Sequence, residues 1–309
     1  MIRIAVTSAE LLAAIESKSP RWMEKAQEKK AAALAAGKVG EEDGIWSEIK
    51  EVFILRQEFK CIYCEFPLPK VDSTSATKVG VDYDVEHYRP KNRVTSWPTW
   101  DVLKRRPSVQ EYRASVSSGD PGGYVRLAFD PFNYLASCKV CNSSYKADRF
   151  PIADQPDAVS EERAILDANE RPLLLFPFGE DGDEPVEYLA FQGPTIHPLP
   201  AAGHERLRAQ VVIDFFELDT REGLLELRCV LIQLLWCQLE NRASPDPQKK
   251  AKAEAFLETV QKTCRHPHTA CGRAFISLYE KDRDMAERWQ EAATGYLTSK
   301  DPVVLKAIA

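Results

Sequence analysis

The order of apolar and polar positions predicts a helical beginning. Residues 9–36 are rich in Ala, Lys and Glu, and "RWMEKAQEKKAAALAAG" closes on Gly37, a helix stop. The next run, "GIWSEIKEVFILRQEFK", places Ile45, Ile49, Phe53 and Phe59 at near-helical spacing. That spacing predicts a helix packed beside the first cysteine pair. Residues 61–152 break the rhythm with short strand-like runs dense in Cys, Asn and Pro. Within them, 92–123 is a polar excursion that ends in the turn "SSGDPGG". From about 160 the pattern turns helical again, with a loop rich in Pro, Gly and acids near 176–204. Asp219 with Glu222 has the look of a capping box opening "REGLLELRCVLIQLLWCQLENR". The apolar stripe of that helix is Leu224, Leu227, Leu231, Leu234 and Leu235. Pro247 suits the first turn of a further helix in "SPDPQKKAKAEAFLETVQK". No fixed-period repeat or low-complexity segment is present. The pattern predicts an α+β protein in three parts: a helical segment over 1–60, an α+β core over 61–152, and a mainly helical, partner-binding region over 153–309.

Composition narrows the class. With 309 residues, 44% apolar and 28% charged, the chain suits a globular protein of one large domain or two smaller ones. No stretch approaches the roughly 20 apolar residues that a membrane span needs. The start, "MIRIAVTSAELLAAI", lacks a basic region, an apolar run and a small-residue cleavage site, which predicts a cytoplasmic protein without a signal peptide. Eight cysteines are too sparse for a secreted disulfide scaffold. A net charge of -6 argues against a surface coated with phosphate-binding residues. Nucleic-acid contact must then come from a local basic patch or a partner subunit.

Candidate chemistry lies in the middle third. Cys61 and Cys64 form one CxxC in "KCIYCE", and Cys138 and Cys141 a second in "SCKVC". Two such pairs supply the four thiolates of a closed tetrahedral Zn²⁺ site; the other reading is two unrelated buried or redox pairs. Between them lies "DYDVEHYRPKNRV", where Glu86 and His87 stand just ahead of Arg89 and Lys91. Asn133 precedes the second pair, Asn142 follows it directly, and Lys146 comes four residues later.

The order His, Asn, Asn with CxxC pairs around it resembles the HNH endonuclease superfamily. That resemblance implies two antiparallel strands and a helix around one metal ion. Its usual Asp-His pair is Glu-His here, and its last position, His or Asn, is Asn142. "KCIYCE", "VEHYRPK", "YVRLAFDPFNYLASCKVCNSSYK", "RFPI", "RPLLLFPFGEDGDEPVEYLAF", "GPTIHP" and "FFELDTREGLLELR" are further similar to the PtuB-like HNH nuclease subunit of the Septu anti-phage system, including copies beside retrons. This likeness spans about 46–240, with Pro131, Tyr134 and the insert over 92–123 as departures. It implies a defence nuclease working with an ABC- or SMC-type ATPase, and in retron settings with a reverse transcriptase and its RNA–DNA product. DNA is the first candidate target and RNA the second.

Phosphodiester hydrolysis needs an activated water, a neutralised phosphate and a stabilised leaving oxygen. In the implied roles His87 is the general base, oriented by the Asn133 side chain or a nearby carbonyl. Glu86 and Asn142 are hard oxygen ligands for Mg²⁺ or Mn²⁺. Arg89, Lys91 and Lys146 clamp phosphates, Lys146 lying one turn after Asn142 if Asn142 opens a helix. The alternative is a zinc-dependent nucleic-acid-binding or scaffold subunit without turnover, which has no need of the Glu-His pair.

Other features carry weaker expectations. Cys264, His266, His268 and Cys271 in "CRHPHTAC" are either a second zinc site or, with Pro267 and the tight spacing, a polar loop with two buried thiols. Cys229 and Cys237 read as core positions. Trp97, Trp100, Arg105 and Arg106 either pack the insert or stack on and clamp a nucleic acid. His197 and His204 read as loop residues, and Asp82 or Asp84 as an outer partner of the Glu86 metal.

Overall fold

The computed structural model describes residues 1–69, 83–306 and 308. Helices dominate, and the described strands form two-stranded antiparallel sheets, so the chain is α+β. The helical run expected over 9–36 is two helices, α1 (Ser8–Lys18) and α2 (Trp22–Ala36). Pro20 breaks it, because proline lacks an N–H and disfavours helix at the residue before it. Thr7 and Glu10 close a capping box on α1, and Gly37 ends α2 in the left-handed region at φ 68. A 3₁₀ turn over Ile45–Ile49 then leads into α3 (Lys50–Arg56). Glu58 and Phe59 take positive φ, so Phe59 lies beyond the helix expected to include it.

β1 (Tyr83–His87) leads into the excursion over 92–123, which carries α4 (Trp100–Arg105) and β2 (Ser117–Ser118). β3 (Tyr134–Cys138) returns antiparallel to β1, with Glu86 opposite Leu135 and His87 opposite Tyr134. A π-helix over Val140–Lys146 follows at once, and β4 (Pro151–Ile152) pairs with β2. The excursion is fastened to the body. Trp97 packs on Phe215 with ring centroids 5.3 Å apart, and Arg106 pairs with Asp214 and Asp219. Gly123 sits at φ 77, where an added Cβ would meet the Asn92 carbonyl carbon at 2.3 Å, so the closing turn requires glycine.

α5 (Arg163–Glu170) precedes α6 (Pro185–Tyr188) and a hairpin of β5 (Leu189–Gln192) with β6 (Thr195–Pro198). The hairpin falls inside the loop expected near 176–204. Its strands are too short for a period of two to stand out. Five helices complete the chain: α7 (Gly203–Phe216), α8 (Glu222–Asn241), α9 (Pro247–Lys262), α10 (Thr269–Lys281) and α11 (Arg283–Ser299), with a last turn, α12 (Val303–Lys306). Pro247 starts α9 behind Asp246, whose side chain caps it. The capping box expected at Asp219 does not form: Arg221 is the N-cap of α8, and Asp219 instead accepts from Arg106.

Two hydrophobic clusters hold the chain together. The first runs from Met1 to Leu224 and includes all four CxxC cysteines. It therefore continues past residue 152, through α7. The second, from Leu225 to Leu305, is the bundle of α8 to α12. On α8 the buried side carries Leu224, Leu231 and Leu235 but also Leu225, Cys229, Ile232 and Leu239. Leu234 and Cys237 are exposed, so only Cys229 of that cysteine pair is a core residue.

Candidate metal centre and candidate active site

The four cysteines converge. The Sγ atoms of Cys61, Cys64, Cys138 and Cys141 all lie within 4.8 Å of one another, and Cys64 and Cys138 are 3.9 Å apart. A tetrahedral ion with Zn–S near about 2.3 Å spaces its sulfurs about 3.8 Å apart, so the geometry fits. All four are buried free thiols rather than disulfides. Burial pushes the thiols of Cys61 and Cys141 up, while hydrogen bonding from Cys141, then Cys61 and Cys64, holds Cys138 down. Four converging buried thiols are a ligand set that a divalent cation would complete as thiolates.

Local backbone builds each half. Residues 61–65 turn tightly, with Glu65 N–H donating to Cys61 O at 3.0 Å and Glu65 at positive φ. Gln57, a polar residue unmarked by any motif, clips this turn to β3. Its Nε2 donates to Lys60 O and Ala136 O, at 2.9 and 2.7 Å, and its Oε1 accepts from Ala136 N at 2.8 Å. The second pair ends β3 and opens the π-helix, where Cys141 N–H donates to Cys138 Sγ.

A cleft of about 260 Å³ is lined by Glu86, His87 and Asn142, with Lys91, Arg93 and Trp46, and Asn142 directly follows Cys141 in the π-helix. His87 ends β1 and is buried edge-on against Trp46 and Tyr134, at centroid distances of 4.8 and 4.9 Å. Its Nε2 lies 3.0 Å from Ala128 O. A carbonyl only accepts, so Nε2 carries the proton and Nδ1 keeps the lone pair. Burial, then Lys91, draws its pKa down to about 3, so the ring is neutral at pH 7.

Glu86 is also buried, and burial raises its carboxyl to about 6, against the opposing pull of Lys146. Lys146 Nζ is 2.9 Å from Glu86 Oε1 as an ion pair, yet off the hydrogen-bonding direction, and that oxygen accepts no hydrogen bond. The Glu86 carboxylate and the half-buried amide of Asn142 line the same cleft and offer oxygen ligands of the kind a hard cation takes, with Lys146 already paired to Glu86 Oε1.

Several expected roles change. Asn133 does not touch the imidazole. Its Oδ1 accepts from Arg89 N at 2.9 Å, and its Nδ2 donates to Arg89 O and Leu127 O, so it pins the loop after β1. The ring is held by a carbonyl, Ala128 O, which also accepts from Tyr134 OH at 2.6 Å. Arg89 is no phosphate clamp here: it is buried and binds Glu170 Oε2 at 3.0 Å and Asp167 Oδ1 at 2.9 Å. Lys146 is buried on Glu86 and donates to His87 O at 3.2 Å. Asn142 sits within the π-helix rather than opening a helix. Lys91 remains at the cleft, its Nζ 4.6 Å from the Trp46 ring centroid. Arg93, exposed and paired with Asp148, joins it, a cation that spacing alone did not mark.

The remaining candidates disperse. Asp84 pairs with Lys139 and Lys50, and Asp82 lies outside the described residues. Cys271 donates to Gly193 O, His266 Nδ1 faces Pro267 O, and His268 is buried, so "CRHPHTAC" gathers no metal site. Trp97 packs the insert and Trp100 is exposed. His197 lies on β6, 2.9 Å from Thr195 Oγ1, and His204 in the first turn of α7.

No family model matches the chain, and no solved structure matches it significantly. It is 29% identical over 132 residues to the Septu protein PtuB of Bacillus mycoides (strain KBAB4). The match takes in 42% of this chain and 34% of that protein, so the chain spans about a third of the relative's length. The similarity supports a Septu-related origin for that part of the chain. Among the described residues no helix is long and apolar enough to cross a membrane.

Proposed function

We propose that the chain is a metal-dependent HNH-type endonuclease and the nuclease subunit of a Septu-type anti-phage complex. One observation carries the reading: Glu86, His87 and Asn142 line a single cleft, and Asn142 is joined directly to Cys141 of a buried four-cysteine cluster. β1, paired with β3, supplies Glu86 and His87 and the π-helix supplies Asn142, an order of elements that supports the ββα reading. The likeness to the Septu protein points the same way.

In this reading the four cysteines hold a structural Zn²⁺ that fixes the π-helix against β3. Glu86 and Asn142 would hold Mg²⁺ or Mn²⁺, which when bound neutralises charge at the scissile phosphate and the departing oxygen. His87 keeps its Nε2 proton, donating a hydrogen bond to Ala128 O, and would take the water proton at Nδ1, becoming imidazolium. Lys91 and Arg93 lie where flanking phosphates of the strand would pass. With a net charge of -6, the protein needs a partner to concentrate substrate, and an ATPase subunit fills that role. The test is cleavage of mixed DNA and RNA with Mg²⁺ or Mn²⁺ by wild type and His87→Ala, alone and with the neighbouring ATPase. Equal cutting by both proteins would remove His87 from the mechanism; binding without cutting under every condition would favour the non-catalytic subunit.

A further inference from the structure

Arg221 stands at the start of α8, far in sequence from the four cysteines. It is the N-cap residue, yet its side chain makes no capping hydrogen bond. Nη1 donates instead to Cys141 Sγ at 3.2 Å, and the guanidinium lies over the Tyr145 ring, 5.3 Å from its centroid. Tyr145 in turn donates from its hydroxyl to Glu217 Oε2 at 2.9 Å. These contacts tie the π-helix to the turn between α7 and α8.

Four thiolates around a divalent ion leave a double negative charge in a buried place, and an uncompensated buried charge is costly. A guanidinium suits the position, being always charged, planar and weakly hydrated. We propose that Arg221 is a positioning residue of the metal centre: its charge-assisted N–H···S bond to Cys141 offsets the charge of the loaded site and fastens the C-terminal helices to it. The inference rests on the zinc reading above and extends it. Metal retention then depends on a residue well outside 61–152, and the α7–α8 turn is mechanically part of the centre.

The test uses full-length protein. Zinc release to a chromogenic chelator is timed for wild type, Arg221→Met, Arg221→Lys and Tyr145→Phe. Partners one bond removed from a metal typically change its affinity by about 10- to 100-fold. Arg221→Met should therefore lose zinc faster by about that factor, Arg221→Lys by less, and Tyr145→Phe little. Cobalt-loaded Arg221→Met should keep a tetrahedral d–d spectrum. Its sulfur-to-cobalt charge-transfer band should move to lower energy, because the Cys141 lone pair has lost its donor. Release at the wild-type rate with an unmoved band overturns the inference while leaving the zinc reading intact. So does equal acceleration by Tyr145→Phe, which would trace the effect to two elements parting. A wild-type protein without zinc and without a tetrahedral cobalt spectrum overturns both.

Discussion

At His87 the backbone sets the tautomer of the ring, since Nε2–H donates to Ala128 O and leaves the lone pair on Nδ1, the atom proposed as the base. His87→Ala is expected to lower cleavage by at least about 10²-fold, the usual reach of a general base, with zinc content unchanged. Gel assays and metal analysis on one preparation check both halves. A second histidine makes a stability prediction. Burial draws His268 from 6.5 down to about 3. An imidazole held neutral in the fold takes its proton first in the unfolded chain. Its contribution is therefore complete above about 6.5 and is lost as the pH falls toward 3, at up to about 1.4 kcal/mol per pH unit. His87 adds a loss of the same sign. Urea unfolding between pH 7 and 4.5 should show this slope, and His268→Gln should flatten it in part. Glu86 and His87 between the cysteine pairs, with Asn142 directly after the second, were legible from spacing, because adjacency and CxxC are local facts. The fates of Arg89 and Lys146 were not. A cation in a sequence carries no mark of burial, and theirs follows from Glu170, Asp167 and Glu86 closing over them. Trp46 was equally silent, since its edge meets His87 only once the 3₁₀ turn over Ile45–Ile49 packs on β1.

Among elements, the metal centre depends on what its two cysteine turns lean against. Gln57→Ala removes three hydrogen bonds to buried backbone and should cost about 1–3 kcal/mol by denaturant unfolding, with faster zinc loss. Cys138→Ser should go further and unfold the neighbourhood, since ligation and folding are one equilibrium at such sites. Retained zinc with an unchanged melting temperature would contradict both. The helices of this chain were readable where punctuation is strong: Gly37 stops α2, and Asp246 with Pro247 starts α9. They were misjudged where tertiary contacts prevail. Asp219 is drawn to Arg106 and leaves α8 without the cap its spacing suggested. The hairpin of β5 and β6 was hidden because two four-residue strands show too little alternation. Its turn is fixed from outside, where Gly193 at φ 55 lies under Trp289.

For the whole molecule, the first hydrophobic cluster does not respect the sequence boundary at 152. Phe216 of α7 stacks on Tyr63 between the first cysteine pair, with centroids 4.3 Å apart. A chain ending at residue 204 loses Val211, Val212, Phe215 and Phe216 from that core. Each such side chain is worth about 1.5–3 kcal/mol, so the shortened chain should not fold and is no test of a partner. Surface substitution is. Val230 and Leu234 are exposed one turn apart on α8, 51% and 38% accessible. If the proposed ATPase partner docks on this face, Val230→Asp with Leu234→Glu should abolish co-purification with it while leaving the melting temperature within a few degrees. A complex that survives these changes would place the contact elsewhere. The same architecture bears on synthesis. The cleft draws on residues 46, 86–93 and 142–148, and the cover over the cysteine turn arrives only with Phe216. During translation, at roughly 5–20 residues per second, domains form only once their contacting parts have emerged. A ribosome that has threaded two-thirds of this chain into the cell has yet to release the formed cleft, so under the proposed function the growing chain would carry no cutting activity toward the messenger it is being read from.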